Sequence, residues 1–168
     1  MRCLIIGCGC RGRTLAGSLI TAGHSVRGTT RRPDRVSGLQ AAGVEPFVGD
    51  PDRVGTILPA LQQVSVACLL LGSAAGDPDR VAALHGSRLE MLLEKMIDTT
   101  VRGVVYESAG NVAAEVLERG RELVSVACQR SRIPCGMIDA DPSDHPGWLR
   151  GAQAAIDCVT APGRPLTA

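Results

Sequence analysis

The chain has 168 residues, 45% of them apolar, and a formal net charge of +1. That length suits one domain with one core and leaves no room for a second large substrate domain. A near-neutral charge with dispersed basic residues gives no basis for nucleic-acid binding, and no apolar run approaches the length of a membrane span.

The first strand is expected over Arg2–Ile6, followed by Gly7-Cys8-Gly9-Cys10-Arg11-Gly12 and a helix over Thr14–Ala22. Strand, glycine loop and helix in that order form a dinucleotide-binding fingerprint. Gly7 permits the tight turn, Gly9 lets the backbone approach a pyrophosphate, and Gly12 lets the helix pack closely on the sheet. Unpaired N–H groups around Cys10 and Arg11 then face the phosphates. The same text also approximates a phosphate-binding P-loop, Gly7-x-x-x-x-Gly12-Arg13-Thr14. Arg13 is a poor substitute there for the compact charge of lysine, and no acidic residue follows the fourth strand to hold magnesium.

The second strand, Ser25–Thr29, ends at Thr29-Thr30-Arg31-Arg32, where a carboxylate would otherwise bind the adenosine ribose. The hydroxyls and the forked donors of Arg31 and Arg32 suit a 2′-phosphate, so NADP(H) is expected over NAD(H). The plainer alternative is that both arginines are solvated loop charges.

A helix over Asp34–Ala42 leads to the third strand, Val44–Val48, and to Gly49-Asp50. Asp50-Pro51-Asp52 offers a cap and a proline for a third helix, Asp52–Gln62. The fourth strand, Val64–Leu71, runs into Gly72-Ser73. Gly76-Asp77-Pro78-Asp79 then starts a helix, Val81–Met96, whose Leu84, Leu89, Leu92, Leu93 and Met96 form a core stripe. The fifth strand, Gly103–Tyr106, ends at Ser108-Ala109-Gly110, and a long helix covers Val112–Arg130. A sixth strand, Cys135–Asp139, and a short helix, Pro146–Val159, precede a loose Pro/Gly end. Residues 1–142 thus make a nucleotide-binding domain, and 143–168 a C-terminal helix and tail.

The apolar runs show little alternation, as expected of strands covered on both faces, and regular strand–helix alternation argues for a parallel doubly wound sheet. Ligands gather at the carboxyl ends of such strands, which puts all the loops just named in one place. Ser108 and Tyr106 share a strand face and are the candidate catalytic residues. His145, near Asp139, Asp141 and Asp144, reads either as an acid/base or metal group or as turn and capping chemistry. No Cys/His ligand spacing is present, and no metal is expected. Seven cysteines, an odd number without C-x-x-C, are expected as reduced thiols; Cys8 and Cys10 beside a helix N-terminus are the candidates for a lowered pKa. Met1-Arg2 leads straight into a strand, so no signal peptide and a cytoplasmic location are expected.

Four segments, Leu4–Gly12, Gly43–Asp50, Val66–Gly72 and Gly103–Ser108, resemble the atypical and extended short-chain dehydrogenase/reductase superfamily, in its NAD(P)H-binding branch with epimerase-like and quinone- or flavin-reductase-like members. The resemblance spans about residues 2 to 140. It implies a single three-layer α/β Rossmann fold with a parallel sheet of about six strands. It also implies Asp50 near the adenine, Leu71, Gly72 and Ser73 along the ribose and pyrophosphate, and Ser108 facing the nicotinamide. The chain departs from that family in one respect. Its reductases use a Tyr-x-x-x-Lys pair, whereas Tyr106 is the only tyrosine here, Gly110 stands four residues on, and Lys95 is the only lysine. The expected activity is therefore hydride transfer from NADPH to a quinone, flavin or carbonyl, with the proton from elsewhere; the alternative is a non-catalytic NADP(H)-binding or redox-sensing protein. The expected partner is a small-molecule substrate, and an open small domain is compatible with a homodimer.

Overall fold

Six strands pair into one sheet: β1 (Arg2–Ile6), β2 (Ser25–Thr30), β3 (Glu45–Val48), β4 (Val66–Leu69), β5 (Gly103–Glu107) and β6 (Cys135–Ile138). In the computed structural model, which describes residues 1–161, every pairing is parallel and the order is β3-β2-β1-β4-β5-β6. The order reverses between β1 and β4, so the crevice expected at a switch point opens above those two strands. The expected loose end of the chain falls within 162–168, outside the described residues.

The helices are α1 (Cys10–Thr21), α2 (Val36–Ala41), α3 (Pro78–Leu84), α4 (Ser87–Ile97), α5 (Ala114–Ser131) and α6 (His145–Thr160). Alternation of strand side chains divides the core into two layers. Leu4, Ile6, Leu69 and Tyr106 pack with Leu89, Leu93 and Val124 of α4 and α5. Cys3, Ile5, Cys68 and Val105 pack with Leu15 of α1 and Trp148 and Ile156 of α6. This is the three-layer α/β domain implied by the parallel runs. Among the described residues no helix is long and apolar enough to cross a membrane.

Two expected helices differ from the sequence reading. The expected third helix is two short 3₁₀ turns, Val54–Thr56 and Leu58–Leu61; Pro59 lacks the N–H that a continuous α-helix would need there. The fourth helix is broken at His85-Gly86, where Gly86 leaves helical geometry (φ −121°, ψ −111°) to begin α4. The 3₁₀ segment is nevertheless anchored. The buried Arg27 of β2 donates to the carbonyls of Ala60 (2.7 Å) and Gln62 (3.0 Å) and to Glu45 (2.8 Å). The Asp77 cap is as expected: its side chain accepts from the amides of Asp79 and Arg80, with Pro78 at the first turn.

Candidate functional site

The three loop glycines have three separate environments. Gly7 sits at φ +85°, and a Cβ there would overlap the Leu70 carbonyl oxygen. A Cβ on Gly9 would meet nothing nearer than 4.0 Å, which leaves that stretch of backbone open to the cleft. A Cβ on Gly12 would press on Ile5 at 3.3 Å, so its absence sets how closely α1 lies on β1. Thr29 holds the loop from below, accepting the Gly7 amide on its hydroxyl (3.1 Å) and the Cys8 amide on its carbonyl (3.1 Å). Helix α1 starts at Cys10 with Gly9 as its cap, so its first amides lack intrahelical acceptors and supply the positive end of the helix dipole.

Above this loop lies a cleft of about 700 Å³, within the size range of small-molecule sites. Gly7, Gly9, Cys10, Arg11, Gly12, Thr30, Arg31, Arg32, Asp50, Leu71 and Ser73, all picked out from the sequence, line it together. Gly72, Tyr106 and Ser108 do not. Gly72 is buried beneath the wall, its amide donating to Glu107 Oε2 (2.8 Å). Arg32 is paired with Asp34 (2.6 Å), whereas the guanidinium groups of Arg31 and Arg35 enter no hydrogen bond or ion pair among the described residues, Arg35 being a wall residue that the sequence reading passed over. Arg80 crosses from α3 to Asp52, both lining the cleft, and holds that carboxyl below its usual pKa.

Tyr106 is a core residue. It is 0% exposed, its hydroxyl lies 2.7 Å from His85 Nδ1, and burial followed by the nearby Glu107 charge raises its pKa above the ordinary phenol value. A group sealed in this way cannot exchange a proton with a ligand in the cleft, so the catalytic assignment of Tyr106 is corrected to a structural one. His85, itself buried, is its partner. His85 Nε2 lies 3.2 Å from the Leu71 carbonyl, which only accepts, so Nε2 carries the proton and Nδ1 receives the Tyr106 O–H. Burial lowers the pKa of His85. The folded state therefore binds fewer protons than the unfolded one below the ordinary histidine value of about 6.5, so this contribution is complete above that pH and lost as pH falls through it. Melting at pH 5.5 is expected at a lower temperature than at pH 7.5, and His85→Gln should flatten that difference in thermal scans.

Ser108 stands at the ends of β5 and β6, where its hydroxyl reaches Asp139 and the Ile138 carbonyl (3.2 Å), and Arg121 of α5 reaches both Asp139 and Ser108 (3.2 Å). Asp141 and Asp144 are used in turn and cap chemistry: Asp141 accepts from Ser143, and Asp144 from the Gly147 amide (3.0 Å). Cys8 departs from the expectation of a lowered pKa. Burial pushes its thiol up to about 11, because Cys8 points into the core beside Gly28 while Cys10 remains exposed at the helix start.

The sequence reading also missed the buried Glu107. It is 0% exposed and fully engaged: Oε1 receives Arg11 Nη2 (2.9 Å) and Trp148 Nε1 (2.9 Å), and Oε2 receives the Gly72 amide. Arg11 also donates to Ser73 Oγ (2.8 Å), and its guanidinium stacks 5.4 Å from the Trp148 ring centroid. One carboxylate thus joins α1, the β4 loop, β5 and α6. A lone acidic residue closing an apolar strand was the available signal.

No family model matches the chain, and no curated protein sequence matches it. Solved structures do. A short-chain dehydrogenase/reductase superfamily protein from Agrobacterium tumefaciens with bound NAD is 23% identical, with a TM-score of 0.68, over 83% of this chain and 48% of that one. UDP-glucuronic acid 4-epimerase from Bacillus cereus in complex with NAD is 16% identical, with a TM-score of 0.68, over 83% and 55%. Triphenylmethane reductase from Citrobacter sp., complexed with NADP(H), is 17% identical, with a TM-score of 0.63, over 83% and 49%. The chain spans about half the length of these structures. Together with the strand order and the glycine loop, the likeness gives this chain a Rossmann fold of the kind found in those short-chain dehydrogenase/reductase and epimerase structures.

Proposed function

We propose that the cleft binds NADP(H) and that the chain is an oxidoreductase of the atypical short-chain dehydrogenase/reductase type, acting on a quinone, flavin or carbonyl acceptor. The observation that carries this reading is the end of β2, where Thr30, Arg31 and Arg32 line the cleft without a carboxylate among them. Arg31 and the neighbouring Arg35 are available as forked donors to a 2′-phosphate. The glycine loop fits the rest of the ligand: open backbone at Gly9 and the free amides of α1 suit a pyrophosphate, as does the dipole behind them. Named neighbours with bound NAD or NADP(H) agree with this use of the fold.

When bound, the cofactor supplies a hydride. The chain's own contribution is to bind and orient: Thr29 fixes the loop, Arg11 and Ser73 tie the β4 loop to α1, and the Arg80–Asp52 pair forms part of the wall. Among the described residues no tyrosine or lysine lines the cleft, which suits a quinone or flavin that takes its proton from solvent better than a carbonyl needing a Tyr-Lys donor. Calorimetry is expected to give tighter binding of NADP⁺ than of NAD⁺ by at least about tenfold. Absorbance at the dihydronicotinamide band, with NADPH and a panel of quinones, flavins and carbonyls, should then decline with time. Equal affinity for both dinucleotides would remove the 2′-phosphate assignment.

The burial of Tyr106 favours a second reading, that of a non-catalytic NADP(H)-binding protein. It predicts the same calorimetry with no loss of NADPH on any acceptor.

A further inference from the structure

A dinucleotide in this fold lies across two mononucleotide halves, one on each side of the switch point. Among the described residues, the walls of the cleft come from the loops after β1, β2, β3 and β4, from the start of α1 and from α3; the loops after β5 and β6 contribute none. The reason is visible in the second half. Arg11 reaches inward to Glu107, Trp148 lies under its guanidinium and donates to the same carboxylate, and Gly72 donates to the other oxygen. The Val112 amide donates to the Gly72 carbonyl (3.1 Å), binding the loop after β4 to the loop after β5. Further out, Ser108, Asp139 and Arg121 join the ends of β5 and β6 to α5. Glu107 and Trp148 are 0% and 1% exposed.

The first half has the opposite character. Arg31 and Arg35 are exposed and without hydrogen-bond partners among the described residues, and the start of α1 has no side-chain cap. Unused side-chain donors are therefore concentrated beside the end of β2, whereas the polar groups at the ends of β5 and β6 are engaged by one another.

We infer that recognition in this cleft is confined to the 2′-phosphorylated adenosine diphosphate half of the ligand, and that the nicotinamide end projects past the Arg11–Glu107–Trp148 cluster without a walled seat. The inference rests on the NADP(H) reading above. Two consequences follow from the geometry. The chain binds NADP⁺, NADPH and 2′-phospho-ADP-ribose alike, because the part in which they differ meets no wall. A hydride acceptor reaches the ring from the solvent side, which suits soluble quinones and flavins better than a substrate requiring a closed pocket.

The test compares ligands on the unaltered protein. Calorimetry with 2′-phospho-ADP-ribose, NADP⁺ and NADPH is expected to give dissociation constants within about threefold of one another. A gain of about tenfold or more on adding either form of the nicotinamide overturns the inference. Saturation-transfer NMR on NADP⁺ provides a second readout: adenine protons should receive strong saturation and nicotinamide protons little, and equal transfer to both rings overturns it. ADP-ribose separates the two proposals. If it binds as tightly as its 2′-phosphate, the NADP(H) reading fails, and the inference fails with it. If the 2′-phosphate strengthens binding and the nicotinamide strengthens it again, only the inference fails.

Discussion

Glu107→Ala is expected to lower the unfolding free energy by about 3–5 kcal/mol, because it removes one partner of a buried ion pair and leaves the other behind. The size follows from what remains. Arg11 would keep its charge in a site where Nη2 retains only Ser73, and its Nε is already buried without a partner. Trp148 Nε1 and the Gly72 amide would both lose their acceptor. Each unsatisfied buried donor costs about 1–3 kcal/mol, and a domain of this kind has only about 5–15 kcal/mol in total. Glu107→Gln should cost less, since its amide oxygen still accepts from Trp148 or Gly72 while the charge on Arg11 goes unbalanced. Urea titrations followed by Trp148 fluorescence measure both. A Glu107→Ala midpoint unchanged from the native protein would mean that the cluster contributes nothing to stability.

Glu107 also marks the limit of what the sequence reveals. Parallel strands were legible because Leu4–Ile6, Val66–Leu69 and Gly103–Tyr106 are apolar on both faces, and a helix between each pair permits only a doubly wound arrangement. The cleft was legible because a Rossmann sheet collects its loops at one edge, so Gly7 to Gly12, Thr30 to Arg32 and Asp50 could be assembled without coordinates. Pairing across long sequence separation was not. Arg11 and Glu107 are 96 residues apart, and Glu107 and Trp148 are 41 apart; nothing local indicates that the three meet. Tyr106 failed for a related reason. Alternation gave its strand face correctly, but that face turns toward α4 and α5, where His85 receives the hydroxyl. The break at His85-Gly86 was hidden by a leucine stripe that continues in helical register on both sides of it.

Arg31→Glu is the substitution expected to change ligand choice most. Of the two arginines that end β2, Arg32 already has Asp34 as a partner, so a 2′-phosphate must compete for it. Arg31 lines the cleft without a hydrogen bond or ion pair among the described residues, and feels Asp52 only through its charge at longer range. Replacing it with a carboxylate removes a charge-assisted donor and sets a negative group against a phosphate that carries nearly two charges, so NADP⁺ should bind about 100-fold more weakly. NAD⁺ has no phosphate to repel, and its affinity should stay within about threefold or rise, since a carboxylate at the end of β2 is the group that accepts a ribose hydroxyl. Arg32→Ala should have the smaller effect of the two. Arg31 is exposed, so the penalty of the charge reversal is screened and should shrink between low salt and about 0.5 M, whereas a loss caused by misfolding would not. Calorimetry with both dinucleotides at two salt concentrations measures all of this. Equal weakening of NADP⁺ and NAD⁺ would place the 2′-phosphate somewhere other than the end of β2, and an unchanged NADP⁺ affinity would return Arg31 to the plain role of a solvated loop charge.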